Sequence, residues 1–125
     1  MSELRGIIVS HAAVARALIT AVEAITGVTG ALVPVSNDGC DRAALAEKLG
    51  DAVGDQPGVL FIDLPGGSCL TGAVSYARGR PGLSVVTGVN LAMLLDFVFH
   101  RELSPAEAAA RAAAAGTRAI RTPAA

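Results

Sequence analysis

The sequence predicts an α/β protein built as three layers, α/β/α, with helices on both faces of a doubly wound, mostly parallel sheet. Four short apolar runs rich in β-branched residues recur along it: Gly6 to Ser10, Ala31 to Val35, Val59 to Asp63 and Leu83 to Thr87. Each is too short for a globular helix, and each precedes a longer stretch with helical periodicity, the alternation that produces parallel βαβ units. The length of 125 residues, 52% of them hydrophobic, suffices for one core without disulfides or metal. Residues 1 to 125 are therefore expected to form a single domain.

In chain order, the first strand leads into a helix over Ala13 to Ile25. The second leads to Asp41, whose short carboxylate suits the cap of a helix ending at Val53. "GDQPG" breaks that helix before the third strand, and "GGSC" turns the chain into a helix over Ser68 to Arg78. "RGRPG" then delivers the fourth strand, followed by a helix over Leu91 to Arg101. Ser104, Pro105 and Glu107 supply an N-cap, a first-position proline and a third-position carboxylate for a last helix reaching Ala115, with Gly116 as its stop. "TRAIR" alternates, so the tail from Thr117 to Ala125 is expected to hold one more short strand before it frays.

Composition removes several function classes. The net charge is -1, with acidic and basic residues interspersed, so no basic stripe exists for nucleic acid or an anionic membrane surface. Apolar runs break within about ten residues, short of the ~20 that span a bilayer. "MSELRG" lacks the basic region and apolar stretch of a secretory leader. A soluble cytoplasmic protein without direct membrane insertion is expected. Cys40 and Cys69 make neither a metal-spaced pair nor a disulfide framework, which suits a reducing compartment. Three Phe, one Tyr and no Trp leave little for a stacking site. There is no "GxxxxGK[ST]" and no "GxGxxG" motif, so no nucleotide or other cofactor is expected.

In a doubly wound sheet, functional groups collect beyond the carboxyl ends of the strands. Those ends carry Ser10 and His11; Ser36, Asn37 and Asp38; Asp63 followed by "LPGGSC"; and "TGVN" at 87 to 90. Polar and glycine residues thus gather on one rim of a chain dominated by alanine, valine and leucine. His11 alone would pass for a partly exposed residue at a helix start, and Asp63 alone for a turn aspartate. On adjacent parallel strands they would meet, and a carboxylate holding one ring nitrogen leaves the other free as nucleophile or base. "GGSC", residues 66 to 69, reads either as a tight turn capped by Ser68 or as a nest of backbone N–H groups for an anion. Together the three point to phosphoryl handling.

Other chemistries fit less well. Ser10 and Ser68 lack a "GxSxG" elbow, and Ser10 adjoins His11 on a strand, where successive side chains point apart. A metal centre would need His11 and Asp63 to be joined by Asp38, and no metal site is expected. His100, Asp96 and Arg101 read as helix surface. Cys69 reads as a small buried residue in a first helical turn, its pKa lowered there only if it is exposed.

"GIIVSHAAVARALITAVEAITG", "GVLFIDLPGGSCLTGA" and "VVTGVNLAMLLD" resemble, in order and spacing, the signature segments of the mannose-family IIA domain of the bacterial phosphoenolpyruvate-dependent sugar phosphotransferase system. The resemblance covers essentially the whole chain. It implies that His11 is the phosphoryl acceptor, through its Nε2 (tele) nitrogen, from the phosphohistidine of the carrier HPr, and passes the group to a IIB component. It further implies that Asp63 orients the ring and that Gly66, Gly67 and Ser68 hold the phosphoryl oxygens. Members are typically homodimers with a swapped C-terminal edge strand, here near Arg118 to Arg121. The sequence holds no IIB-like segment, so the IIB acceptor is expected to be a separate protein. Family members commonly have glycine after the histidine, an aromatic two residues after the aspartate and a frequent proline where Cys69 stands; Ala12, Pro65 and Cys69 depart from this. A stand-alone regulatory IIA protein and the IIA-like subunit of dihydroxyacetone kinase share the site, though "GGS" followed by "GVN" favours the mannose type. A small-molecule binding module, with His11 as polar lining, is the reading from a different class.

Overall fold

The structure, a computed structural model, describes residues 3–124; Met1, Ser2 and Ala125, the end of the expected tail strand, lie outside the described residues. The elements run β1 (Arg5–Ser10), α1 (Val14–Thr26), β2 (Leu32–Ser36), α2 (Arg42–Val53), β3 (Gly58–Ile62), α3 (Gly67–Ala77), β4 (Leu83–Thr87), α4 (Leu91–Val98) and α5 (Pro105–Arg118). Every strand pairing is parallel, in the order β2-β1-β3-β4.

The two inner strands read as unbroken apolar runs because both of their faces are covered. Ile7, Ile8 and Val9 on β1 and Val59 to Ile62 on β3 are fully buried. Their alternation divides them between two cores. Ile8, Val59 and Phe61 pack with Val22, Leu94, Phe97 and Ala112 of α1, α4 and α5. Ile7, Val9, Leu60 and Ile62 pack with Leu45, Leu49 and Ala73 of α2 and α3. Phe61 and Phe97 meet edge to face at 5.2 Å, the favoured arrangement of ring quadrupoles. Helices on both faces of one parallel sheet give the three expected layers. No helix among the described residues is long and apolar enough to cross a membrane.

The expected caps form. Asp41 Oδ1 accepts the Ala44 N–H at 2.8 Å, and Ser104 Oγ accepts the Glu107 N–H at 3.2 Å while donating to Glu107 Oε1 at 2.8 Å.

Two boundaries differ from expectation. Helix α4 ends at Val98 rather than Arg101, because the following turn binds the start of the chain: the Leu4 N–H donates to the Arg101 carbonyl and Arg101 Nε to the Leu4 carbonyl. Helix α5 does not stop at Gly116 but continues to Arg118, and residues 119–124 form no strand. The expected strand near Arg118 to Arg121 is therefore absent from the described residues. Ala108, Ala109, Ala112 and Gly116 keep a helical stripe buried against α4. A Cβ on Gly116 would come within 2.5 Å of Met93 Cγ, so this glycine serves close approach, not termination. Asn90 Nδ2 also donates to the Gly116 carbonyl at 3.2 Å, tying this part of α5 to the N-cap of α4.

From β1 the chain winds outward to β2, then returns to the other side of β1 for β3 and continues to β4. The direction of winding changes between β1 and β3, and the crevice beyond their carboxyl ends is where such sheets place their ligands.

Candidate active site

Strands β1 and β3 run in register, Val9 opposite Ile62, so the residues that follow them emerge side by side. Those residues are His11 and Asp63. Asp63 Oδ2 accepts the His11 backbone N–H at 2.9 Å and lies 2.8 Å from the ring Nδ1, while Oδ1 accepts the Leu64 N–H at 2.9 Å. An ionised carboxylate can only accept, so this contact assigns the ring proton to Nδ1 and leaves a lone pair on Nε2. The His11 side chain is 44% exposed and that of Asp63 only 13%. The ring is thus partly open to solvent, and the carboxylate that holds it is mostly covered.

Burial alone would raise the Asp63 pKa. The hydrogen bonds from the His11 N–H, its ring and the Leu64 N–H outweigh that and hold the carboxyl below its ordinary value.

The turn between β1 and α1 is fixed by two further residues. Ser10 is fully buried; its hydroxyl donates to the His11 carbonyl at 3.2 Å and accepts the Ala15 N–H at 2.9 Å. It supplies the cap that Ala13, at the N-cap position, cannot. The sequence offers Ser10 only as an unsuitable nucleophile; its signal as a cap is a serine just before an alanine-rich helix start. Ala12 adopts φ +48°, the sole non-glycine residue with positive φ among those described. A side chain in that left-handed region costs about 1 kcal/mol.

The "GGSC" turn opens α3 against the ring. Gly66 is its N-cap, without a side-chain bond, and Gly67 has φ +87°. Ser68 is not the cap. It is exposed in the first turn, its hydroxyl accepting from Asn37 Nδ2 at 3.2 Å. The first-turn N–H groups thus have no side-chain partner on the helix's own cap, which leaves them suited to an anion. Asn37, recognised in sequence only as a strand-end residue, joins β2 to this turn.

Cys69 lies beneath the ring, buried, with Sγ 3.8 Å from His11 Nδ1. Burial and the neighbouring Asp63 carboxylate push its thiol up to about 11, so the helix start does not activate it. Among the described residues the metal-ligating types that converge are His11, Asp63 and Cys69; Asp38 does not join them. His100 lies at the end of α4, its Nδ1 2.7 Å from the Asp96 carbonyl, outside the site. Around His11 the surface is apolar: Val14 and Leu64 are 43% and 55% exposed, and Ala12, Ala13 and Pro65 are exposed beside them.

The profile of the EIIA-man family, described as the fructose IIA component of the phosphotransferase system (PTS), matches residues 6–114. No individually curated protein matches the chain significantly. Solved structures share the fold. The phosphotransferase system component EIIA of Streptococcus agalactiae superposes with a TM-score of 0.87 at 20% identity, over 95% of this chain and 96% of that one. The mannose/sorbose-specific IIA subunit of Enterococcus faecalis gives 0.84 at 24%, over 98% and 96%. The PTS IIA protein associated with the fucose utilization operon of Streptococcus pneumoniae gives 0.71 at 18%, over 97% and 96%. Identities this low speak for the fold, and the sugars belong to those proteins. The profile, by contrast, spans all four strands and most of α5, and the chain belongs to the EIIA-man family of sugar phosphotransferase-system IIA components.

Proposed function

We propose that this protein is a phosphocarrier, in which His11 Nε2 accepts a phosphoryl group from the phosphohistidine of HPr and passes it to a IIB component in sugar uptake. The observation that carries this reading is the 2.8 Å contact between Asp63 Oδ2 and His11 Nδ1, on a ring that is 44% exposed and whose other nitrogen keeps its lone pair.

The chemistry needs little beyond positioning. The P–N bond of the donor phosphohistidine breaks as the bond from phosphorus to Nε2 forms, and the donor ring leaves. His11 keeps its Nδ1 proton, and the ionised Asp63 beside it offsets the positive charge that develops on the ring. No base is required, because Nε2 already carries the lone pair. Charge in the loose transition state spreads over the phosphoryl oxygens, where the N–H groups of Gly66, Gly67 and Ser68 and the Ser68 hydroxyl are suited to receive it. The exposed Val14, Leu64, Ala12, Ala13 and Pro65 give donor and acceptor one shared apolar docking face. The reading includes a homodimer that covers the outer edge of β4, which pairs with β3 alone and is partly exposed.

Incubation with phosphoenolpyruvate, enzyme I and HPr, followed by intact-mass measurement, tests the carrier role. One phosphoryl adduct on the wild type, absent from His11→Ala, is expected. A wild type that acquires no adduct would refute it.

A further inference from the structure

We infer that His11, Asp63 and Cys69 form a binding site for a zinc-class transition-metal cation, and that the metal switches the unphosphorylated carrier off. Nδ1 lies 2.8 Å from Asp63 Oδ2 and 3.8 Å from Cys69 Sγ, and the three donor atoms all lie within 4.8 Å of one another. Tetrahedral zinc, with bonds of about 2.0–2.3 Å to nitrogen, oxygen and sulfur, sets its donors roughly 3.3–3.6 Å apart. The triangle reaches that size if the histidine and carboxylate part slightly and the sulfur closes in. One nitrogen, one carboxylate oxygen and one sulfur form a donor set that suits zinc or cobalt and suits magnesium or calcium poorly. Asp63 and His11 are already held at the ends of β3 and β1, with the His11 N–H donating to Oδ2, and the buried Cys69 is held by the first turn of α3, so little chain has to be ordered on binding.

The consequence follows from proton placement. Metal at Nδ1 displaces the proton now shared with Asp63, and in the neutral ring that proton moves to Nε2, while the thiol proton passes to solvent. Nε2–H has no lone pair to attack phosphorus. The metal therefore reverses the tautomer that Asp63 enforces. This regulatory part rests on the carrier role proposed above; the metal site itself does not.

Cobalt(II) added to the purified unphosphorylated protein provides a readout independent of phosphoryl transfer. A thiolate-to-cobalt charge-transfer band is expected for the wild type and its loss for Cys69→Ala, with Asp38→Asn as a control that keeps the band. Zinc should raise the half-time of phosphorylation by preformed phospho-HPr at least about tenfold in the wild type, but not in Cys69→Ala compared with its own zinc-free rate. Magnesium at the same concentration should do neither. Absence of the cobalt band from the wild type would overturn the site. A band accompanied by an unchanged zinc response would overturn the switch. A protein that takes no phosphoryl group even without metal would instead refute the carrier role, and the switch with it, while the band still decides the site.

Discussion

The molecule contains two histidine–aspartate pairs, and they differ in nearly everything except composition. His11 and Asp63 come from two different strands, 52 residues apart, and meet through Nδ1 and Oδ2 at 2.8 Å. His100 and Asp96 lie one helical turn apart, with the ring nitrogen 2.7 Å from the Asp96 carbonyl and 3.6 Å from its carboxylate. Asp63 receives three hydrogen bonds, two from His11 and one from the Leu64 N–H. Asp96 is shared with Arg111 at 3.3 Å, and its Oδ2 is buried without a partner. The first pair stands at the change of winding direction beside an uncapped helix start; the second stands at the end of α4, away from any such feature. A histidine gains a chemical role from the carboxylate that fixes its proton and from the groups around its free nitrogen, not from having a carboxylate nearby.

The largest expected difference is in phosphoryl acceptance. His11→Ala should abolish phosphorylation, whereas His100→Gln should be phosphorylated at the wild-type rate; a large defect in the second variant would erase the distinction. Next come the carboxylates. Asp63→Ala removes the orienting acceptor and should slow transfer by about 100-fold while the protein stays folded. Asp96→Asn should leave transfer unaltered and shift stability by about 1 kcal/mol or less. Stopped-flow transfer from phospho-HPr and urea unfolding measure both, and equal transfer rates in the two variants would contradict the account.

Acid should weaken the contribution of Asp63. Because the folded state holds Asp63 below the ordinary carboxylate range, its contribution to stability is complete above the unfolded carboxylate's value of about 4 and is lost as pH falls through the folded value. Wild type should therefore lose more stability than Asp63→Asn on acidification, and parallel urea midpoints against pH would remove the claim. The smallest effect is at the turn: Ala12→Gly relieves the +48° φ and should stabilise by about 0.5 kcal/mol or less, because the greater freedom of glycine in the unfolded chain offsets most of the relieved strain.

Much of this was legible in the sequence. The strands announce themselves because β1 and β3 are covered on both faces and so read as apolar runs, and the rule that chemistry collects at strand ends singles out His11 and Asp63. Their adjacency needs only that β1 and β3 be neighbours. The rest depends on packing that no local pattern reports. Ser10 caps α1 across a turn, Cys69 tucks under a ring 58 residues away in sequence, and Asn37 reaches Ser68 from another strand. Gly116 misleads for the same reason: in isolation it is a helix stop, but against Met93 it is the residue that lets α5 continue.

The central claim is that Asp63 places the proton on Nδ1 and thereby makes Nε2 of His11 the acceptor. Nitrogen-15 and phosphorus-31 NMR of the protein phosphorylated through HPr tests it most directly. A single phosphohistidine at His11, bonded through Nε2 with Nδ1 still protonated, is the predicted result. Phosphorus bonded to Nδ1, or carried by any other residue, would contradict it.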